Sequence, residues 1–250
     1  MLLEDKVAVI YGAGPIGGAV ARAFAREGAR VFLTGRTKAK LDKAADDIRA
    51  NGGVADTAVV DALDAQAVDE YVDAVAEQAG SIDISFNLIS LGDVQEPLTE
   101  ISVEDFLQPI TTAMRTQFLT TRAAARHMVR RGSGVILHFG GGGPQTLPGL
   151  GGFKVALDAI ESLRRQWAVE LGKHGIRVVT LKTGGVPESI SDTVPAPVRD
   201  EITAEIQKAA LLNRTATLAD VGNVAAFVAS DQARTMTATE VNISCGAIMD

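Results

Sequence analysis

A glycine-rich turn near the N-terminus has the residue types and the spacing to bind a phosphate group. Gly12, Gly14 and Gly17 follow a short apolar run and lead into an alanine-rich segment, which is the strand, turn and helix setting of a G-x-G-x-x-G motif. Glycine lets a ligand approach the backbone closely, and the N–H groups at the start of a helix attract anions. The motif therefore predicts a site for the pyrophosphate of a dinucleotide, although a plain glycine-rich turn would show the same residues.

The end of the second apolar run carries a cation at a position where an NAD site usually has an acid. Residues 31–37 contain no acid, and Arg36 occupies that position instead. A guanidinium can pair with the 2′-phosphate of NADP(H), and Lys38 and Lys40 add positive charge nearby. We therefore expect NADP(H) as the cofactor, with NAD(H) as the alternative. A solvated cluster of cations at a helix start is the competing interpretation.

The elements that must position these residues follow an alternating pattern. Apolar runs rich in β-branched residues predict strands at residues 7–11, 30–34, 54–60, 82–88, 134–139, 177–182 and 240–244. Apolar residues at helical spacing predict helices at residues 17–27, 38–50, 65–78, 111–131, 153–173 and 218–229. This alternation predicts an α/β fold, a Rossmann-type doubly wound parallel sheet with helices on both faces. Because no linker or repeat interrupts it, we expect residues 1–250 to form a single domain.

Composition narrows the classes of function. The net charge of -7 supplies no general field for attracting nucleic acid or an anionic membrane, so we expect neither partner. No apolar run approaches the roughly 20 residues that cross a bilayer, and the first residues lack the pattern of a signal peptide. Cys245 is the only cysteine, which agrees with a reducing compartment. We expect a cytoplasmic protein that acts on a small-molecule substrate and has no metal site.

The order of these segments resembles the short-chain dehydrogenase/reductase family across almost the whole chain. Asp61 and Ala62 follow the third strand where that family contacts adenine, and Asn87 matches the first Asn of its Asn-Asn-Ala-Gly segment. Residues 183–186 are similar to its Pro-Gly-x-Val turn, which faces the nicotinamide amide. The resemblance and the motifs together imply cofactor contacts from Gly12, Gly14, Ile16, Gly17, Gly18, Arg36, Asp61, Ala62, Asn87, Lys154, Thr183, Gly184 and Val186.

Most of the family's usual catalytic groups are missing from the chain. The family joins a Tyr acid/base to a Lys four residues later, and these positions fall on Leu150 and Lys154. Its Ser position falls on Gly141 and its Asn position on Ala113. A leucine or a glycine cannot transfer a proton, so ordinary carbonyl reduction cannot proceed with the usual groups. Lys154 remains, and the resemblance implies that it bonds the nicotinamide ribose.

Two further side chains are candidates for the missing proton donor. Asp158 lies four residues after Lys154 on the same helical face, so the two could organise a water, although a simple salt bridge within the helix is the plainer interpretation. His138 lies late in the fifth strand, and an imidazole can donate a proton near neutral pH. A structural histidine would also fit this position. The catalytic candidates are therefore Lys154, Asp158 and His138.

Residues 187–197 take the place of the substrate loop in the resembled family. Their Pro, Ser and Thr content predicts a mobile loop. Glu188 stands where many members carry a Thr that binds the pyrophosphate, and its carboxylate would repel phosphate unless it turned away.

These patterns favour an NADPH-dependent oxidoreductase that acts on an activated alkene or a carbonyl compound. The alternative is a cofactor-binding protein without turnover, either a regulator or an inactive subunit, and a third possibility is a structural domain that no longer binds a cofactor. The resemblance also implies a homo-oligomer, expected to be a tetramer, that pairs helices 111–131 and 153–173.

Overall fold

A single parallel sheet organises the chain. The computed structural model describes residues 1–140 and 146–249, and the strands within those ranges pair in the order β3-β2-β1-β4-β5-β6-β7 with every pair parallel. The strands are β1 Val7–Tyr11, β2 Arg30–Gly35, β3 Val54–Val59, β4 Ile84–Asn87, β5 Gly134–Gly140, β6 Ile176–Lys182 and β7 Thr239–Asn242. The predicted α/β fold with one doubly wound sheet is confirmed.

Helices cover both faces of the sheet. They are α1 Pro15–Arg26, α2 Lys38–Ala50, α3 Ala65–Ala79, α4 Val103–Arg131, α5 Gly151–Leu171, α6 Ala196–Ala209 and α7 Leu218–Ala229. One apolar core joins the sheet to α1, α2 and α7, and a second joins the opposite face to α3, α4 and α5. None of the described helices has the length and apolar character that a membrane span requires.

Two helices differ from the sequence prediction. Helix α4 begins eight residues before the expected start, where the hydroxyl of Ser102 accepts a hydrogen bond of 3.0 Å from the Asp105 N–H, and it continues through Pro109. Helix α6 occupies residues that had no predicted helix, and it begins within the segment expected to be a loop. None of its side chains is buried, although Val198, Ile202 and Ile206 recur along it at helical spacing.

The carboxyl ends of the strands meet along one edge of the sheet, which is where open α/β sheets bind ligands. The glycine turn follows β1, Arg36 follows β2 and the turn 183–186 follows β6. The fold therefore brings the two halves of the predicted cofactor site to the same edge.

Candidate cofactor and active site

The glycine turn is built around two glycines that tolerate no side chain. Gly12 has a φ of +107°, and a Cβ on it would lie 2.6 Å from the Leu88 carbonyl oxygen. A Cβ on Gly17 would lie 1.9 Å from the Gly12 carbonyl oxygen. A Cβ on Gly18 would meet only the flexible end of Arg22, at 3.3 Å. Gly12 and Gly17 are therefore required by the close packing of the turn, whereas Gly18 is not.

The start of α1 is open to an anion. Gly14 is the N-cap residue, it offers no side-chain oxygen to the first N–H groups of the helix, and a Cβ on it would have no neighbour within 4 Å. Such uncapped N–H groups at a helix start suit a phosphate. Ile16, which stands at the middle Gly of the family's turn, packs against the apolar core instead.

A cavity of about 270 Å³ extends from this turn along the ends of β2 and β3 to α4. Residues from all of these elements form its walls, including Gly14, Arg36, Lys40, Asp61, Ala62 and Thr112. Its position matches the expected site for the adenosine and phosphate part of a dinucleotide.

Unpaired positive charge lines this cavity. Arg36 and Lys40 are exposed, and neither forms an ion pair with any residue that the structure describes. Lys38, in contrast, pairs with Asp42 at 2.6 Å. Two cations without protein partners are available to a phosphate group at this end of the cavity.

Local hydrogen bonds hold two parts of the site: the residues expected to contact adenine, and Asn87 at the end of β4. A carboxylate oxygen of Asp61 accepts from the Leu63 N–H at 3.0 Å, and Ala62 is buried. The Asn87 amide donates to Thr120 Oγ1 at 3.2 Å, and its oxygen accepts from the Ile89 N–H at 3.0 Å. Asn87 therefore shapes the turn after β4 and joins it to α4.

The turn 183–186 is fixed by the strands on either side of it. The Thr183 N–H donates to the Gly140 carbonyl at 3.2 Å, and Val186 is buried. A Cβ on Gly184 would lie 2.7 Å from the Cβ of Ala247, so the turn packs closely on the segment after β7. The carboxylate of Glu188 accepts from the Leu218 N–H at 2.7 Å. It is therefore turned toward the start of α7, which is the arrangement that a nearby phosphate requires.

The predicted catalytic pair on α5 forms a salt bridge. Lys154 Nζ bonds the carboxylate of Asp158, and neither residue lines the cavity described above. Two α5 side chains reach the end of β5: Glu161 Oε1 lies 3.8 Å and Leu157 Cδ2 lies 4.0 Å from the place a Cβ on Gly140 would take. Phe153 lies one turn before Leu157. Gly141, at the expected Ser position, lies outside the described residues.

His138 does not have the surroundings of a proton donor. Its side chain is fully buried, and its ring meets the Trp167 ring edge-on with centroids 5.5 Å apart. Burial, and to a lesser degree the charge of Arg164, lowers the pKa of His138 to about 3. The imidazole is therefore neutral near pH 7 and has no contact with the cavity. This burial favours the structural interpretation of His138 over the role of proton donor.

Comparison with known proteins identifies the family. The family model described as enoyl-(acyl carrier protein) reductase matches residues 12–247. The chain belongs to the short-chain dehydrogenase/reductase family. This member is 28% identical to the uncharacterized oxidoreductase YxbG of Bacillus subtilis, with 98% of this chain and 91% of that protein covered. It is 30% identical to gluconate 5-dehydrogenase of Gluconobacter oxydans, with 91% and 89% covered.

Solved structures agree with this assignment. A short-chain dehydrogenase/reductase from Mycobacterium ulcerans superposes with a TM-score of 0.91 at 25% identity, with 99% of this chain and 91% of that chain covered. An NAD+-bound xylitol dehydrogenase shares the fold with a TM-score of 0.89 at 23% identity, with 98% and 100% covered. Members of this family bind nicotinamide dinucleotides, and this chain is an oxidoreductase by its family.

Proposed function

We propose that this short-chain dehydrogenase/reductase is an NADPH-dependent reductase that acts on an activated alkene or a carbonyl compound. The observation that supports this proposal is that Arg36 and Lys40 lie on the cavity beside the glycine turn and form no ion pair with any described residue. An acid at the end of β2 would favour NADH, and this chain has none there. We further propose that the protein works in the cytoplasm on a small molecule, without a nucleic acid or membrane partner.

The described residues fit such a cofactor. The N–H groups of the glycine turn and of α1 suit the pyrophosphate, and Arg36 and Lys40 suit the 2′-phosphate. Asp61 and Ala62 would contact adenine, and the turn 183–186 would contact the nicotinamide. When bound, NADPH supplies a hydride.

An activated alkene suits the groups that remain at the reaction end. Hydride addition to a conjugated thioester places negative charge on the carbonyl oxygen as an enolate, and backbone N–H groups or Lys154 would stabilise that charge. A water or Asp158 would then deliver the proton to carbon. The family model's description as an enoyl reductase supports this substrate class. The 26% identity to 3-oxoacyl-[acyl-carrier-protein] reductase FabG of Thermotoga maritima, over the whole of both chains, supports the carbonyl compound instead.

The packing of α5 favours a second candidate function, a cofactor-binding protein without turnover. Shifting the family's Tyr and Lys positions by three residues places them on Phe153 and Leu157, and Leu157 is one of the two α5 residues that reach the end of β5. In that register neither position carries an ionisable group. Lys154, whose side chain is 16% exposed, would then serve only in the helix salt bridge with Asp158.

Titration with NADPH and NADH, followed by a turnover assay, distinguishes these two functions. We expect purified protein to bind NADPH more tightly than NADH, and the bound form should then be incubated with conjugated thioesters and with ketones. Oxidation of NADPH by a conjugated thioester supports the reductase. Binding of NADPH with no turnover on either panel supports the second candidate, and equal affinity for the two cofactors contradicts the assignment of Arg36.

We also propose a homo-oligomer, with a tetramer as the expected form. A groove of about 410 Å³ lies between α4 and α5, and Phe118 at its edge is 50% exposed. The groove presents Arg126 and Arg130 on α4 and Glu170 on α5, the two helices through which a second copy is expected to pack. Light scattering at micromolar concentration should give a multiple of the 26.1 kDa chain mass, and a monomer mass would refute this proposal.

A further inference from the structure

Four charged side chains form a buried ion network between α5, β6 and β7. Lys182 Nζ lies 2.6 Å from Glu240 Oε2, and Arg164 Nη2 lies 3.3 Å from Glu240 Oε1. Arg164 Nε lies 2.9 Å from Glu161 Oε2, which completes the network. Lys182, Arg164 and Glu161 are only 3%, 4% and 4% exposed. The network carries two positive and two negative charges, so it is neutral as a whole when both carboxyls are ionised.

Stability alone does not account for this network. Removing charges from water is costly, and a buried ion pair is often no more stable than well-packed apolar residues of similar size. Here the pairing is also incomplete, because Arg164 Nη1 and both ring nitrogens of the adjacent His138 have no hydrogen-bond partner among the described residues. Burial raises the pKa of the Glu161 carboxyl, which is a further sign of the cost of its charge. Departures of this kind from favourable packing tend to occur at functional sites.

The location of the network connects it to one part of the cofactor site. Lys182 is the last residue of β6 and directly precedes the turn 183–186, and its backbone pairs with Gly140 of β5. Glu240 is on β7, the strand that leads into the segment of Ala247, whose Cβ would lie 2.7 Å from a Cβ on Gly184. The network therefore connects α5 to β6, which precedes the turn 183–186, and to β7, whose following segment packs on that turn.

We propose that the buried ion network positions the turn 183–186 against the nicotinamide half of the cofactor. Lys182, Glu240, Arg164 and Glu161 act as positioning residues, which hold the ends of β6 and β7 at a fixed separation from α5. The proposal rests on the proposed function in one respect, that a nicotinamide dinucleotide is bound. It predicts separate effects on the two halves of that ligand, because the glycine turn and Arg36 lie on the other side of the sheet centre.

A double variant, Lys182→Met with Glu240→Leu, tests this role. It removes one cation and one anion and keeps the pair between Arg164 and Glu161. The control, Arg122→Met with Asp69→Leu, removes an ion pair of 2.7 Å between α4 and α3, away from the turn. It also removes the contact of Asp69 with Arg126, which keeps its pair with Asp73. Three quantities should be measured: affinity for NADPH, affinity for 2′,5′-ADP, which lacks the nicotinamide half, and amide hydrogen exchange of residues 12–18 and 183–186.

The network variant should lose about tenfold in NADPH affinity while its affinity for 2′,5′-ADP stays within about twofold of wild type. Exchange at 183–186 should accelerate at least about tenfold, with 12–18 unchanged. The control should change neither the affinity ratio nor exchange at the turn. Unchanged exchange at 183–186, or an equal loss of affinity for both ligands, would overturn the proposal. If wild-type protein binds neither ligand, the proposed function fails, and hydrogen exchange alone decides the role of the network.

Discussion

The proposed cofactor site has a phosphate end, formed by the glycine turn and Arg36, and a reaction end, where α5 approaches β5 and the turn 183–186. The two ends differ in which of the family's residues they keep. At the phosphate end, Gly12 and Gly17 fit against each other with no room for a side chain, and Arg36 remains available for an anion. At the reaction end, Leu157 and Glu161 of α5 approach the end of β5, and the nearby His138 is buried. Phosphate binding and proton transfer use separate residues of this fold. A chain can therefore keep the residues for phosphate binding while its residues for proton transfer change.

We expect the largest effect from a substitution in the glycine turn, at the phosphate end. Gly17→Ala places a Cβ 1.9 Å from the Gly12 carbonyl oxygen, so the turn must open, at a cost of about 3 kcal/mol or more of unfolding free energy. Binding of NADPH should be lost with it. Urea unfolding and NADPH titration measure both quantities.

The adjacent residue provides a matched control for that change. Gly18→Ala adds the same methyl group next to the flexible end of Arg22, and alanine is the better helix former by about 1 kcal/mol. This variant should keep its cofactor affinity and its stability. Equal damage from the two substitutions would contradict the description of the turn.

Adding a proton donor to the reaction end is expected to give the next largest effect. In the register favoured by the packing of α5, Phe153→Tyr with Leu157→Lys restores the family's Tyr and Lys pair. Reduction of simple ketones should rise by about 100-fold, the lower range for a general acid. The competing register predicts that Leu150→Tyr, with Lys154 in place, gives the increase instead. Initial rates of NADPH oxidation distinguish the two registers. If only one of the variants gains activity, the register behind the inactive variant is excluded.

A smaller effect is expected at the phosphate end from Arg36→Asp. The change removes a charged hydrogen-bond donor and introduces repulsion, so the preference for NADPH over NADH should fall by about 10- to 100-fold. Lys38→Ala is the control, because Lys38 already pairs with Asp42 and should leave the preference unaltered. Calorimetric titration with both cofactors is the measurement, and a preference that survives Arg36→Asp would show that other residues set it.

The smallest effect concerns His138 and the pH dependence of stability. Its pKa falls from 6.5 in the unfolded chain to about 3 in the fold, so between these values the unfolded chain binds the extra proton. Stability should decrease as pH falls below about 6.5, by up to about 1.4 kcal/mol per pH unit from this group. His138→Phe should remove that contribution, and His174→Gln should keep it. Urea unfolding at pH 7 and pH 5 gives the comparison, and equal pH dependence in wild type and His138→Phe would refute the burial effect.

The order of elements was predictable from the sequence because each strand and most helices carry a strong apolar period. Helix α6 was missed because its first residues were assigned to the loop 187–197, although Val198, Ile202 and Ile206 recur at helical spacing. The start of α4 was placed too late, since residues 103–110 form its first turns with Ser102 as the cap. Helix boundaries depend on caps and on tertiary contacts as well as on apolar spacing, so they are harder to predict than the helices themselves.

The candidate site was predictable only where a motif is contiguous. The glycine turn and Arg36 were recognised by spacing alone. The ion network was not, because Glu240 approaches Lys182 only through the pairing of β6 with β7, across more than fifty residues of sequence. The burial of His138 likewise depends on how α5 lies over β5. Whether Lys154 or Leu157 faces the end of β5 also depends on the register of α5, which the spacing of apolar residues does not determine.

The most direct test of the account is a single-turnover comparison of two matched substrates on NADPH-loaded wild-type protein. One is a conjugated enoyl thioester, and the other is the 3-oxo thioester of the same chain length. Loss of NADPH absorbance reports hydride transfer to either. Because the reaction end lacks the Tyr hydroxyl that ketone reduction needs, the account predicts that the enoyl thioester reacts at least about 100-fold faster. Reduction of the 3-oxo thioester at an ordinary enzymatic rate, with the enoyl thioester untouched, would contradict it.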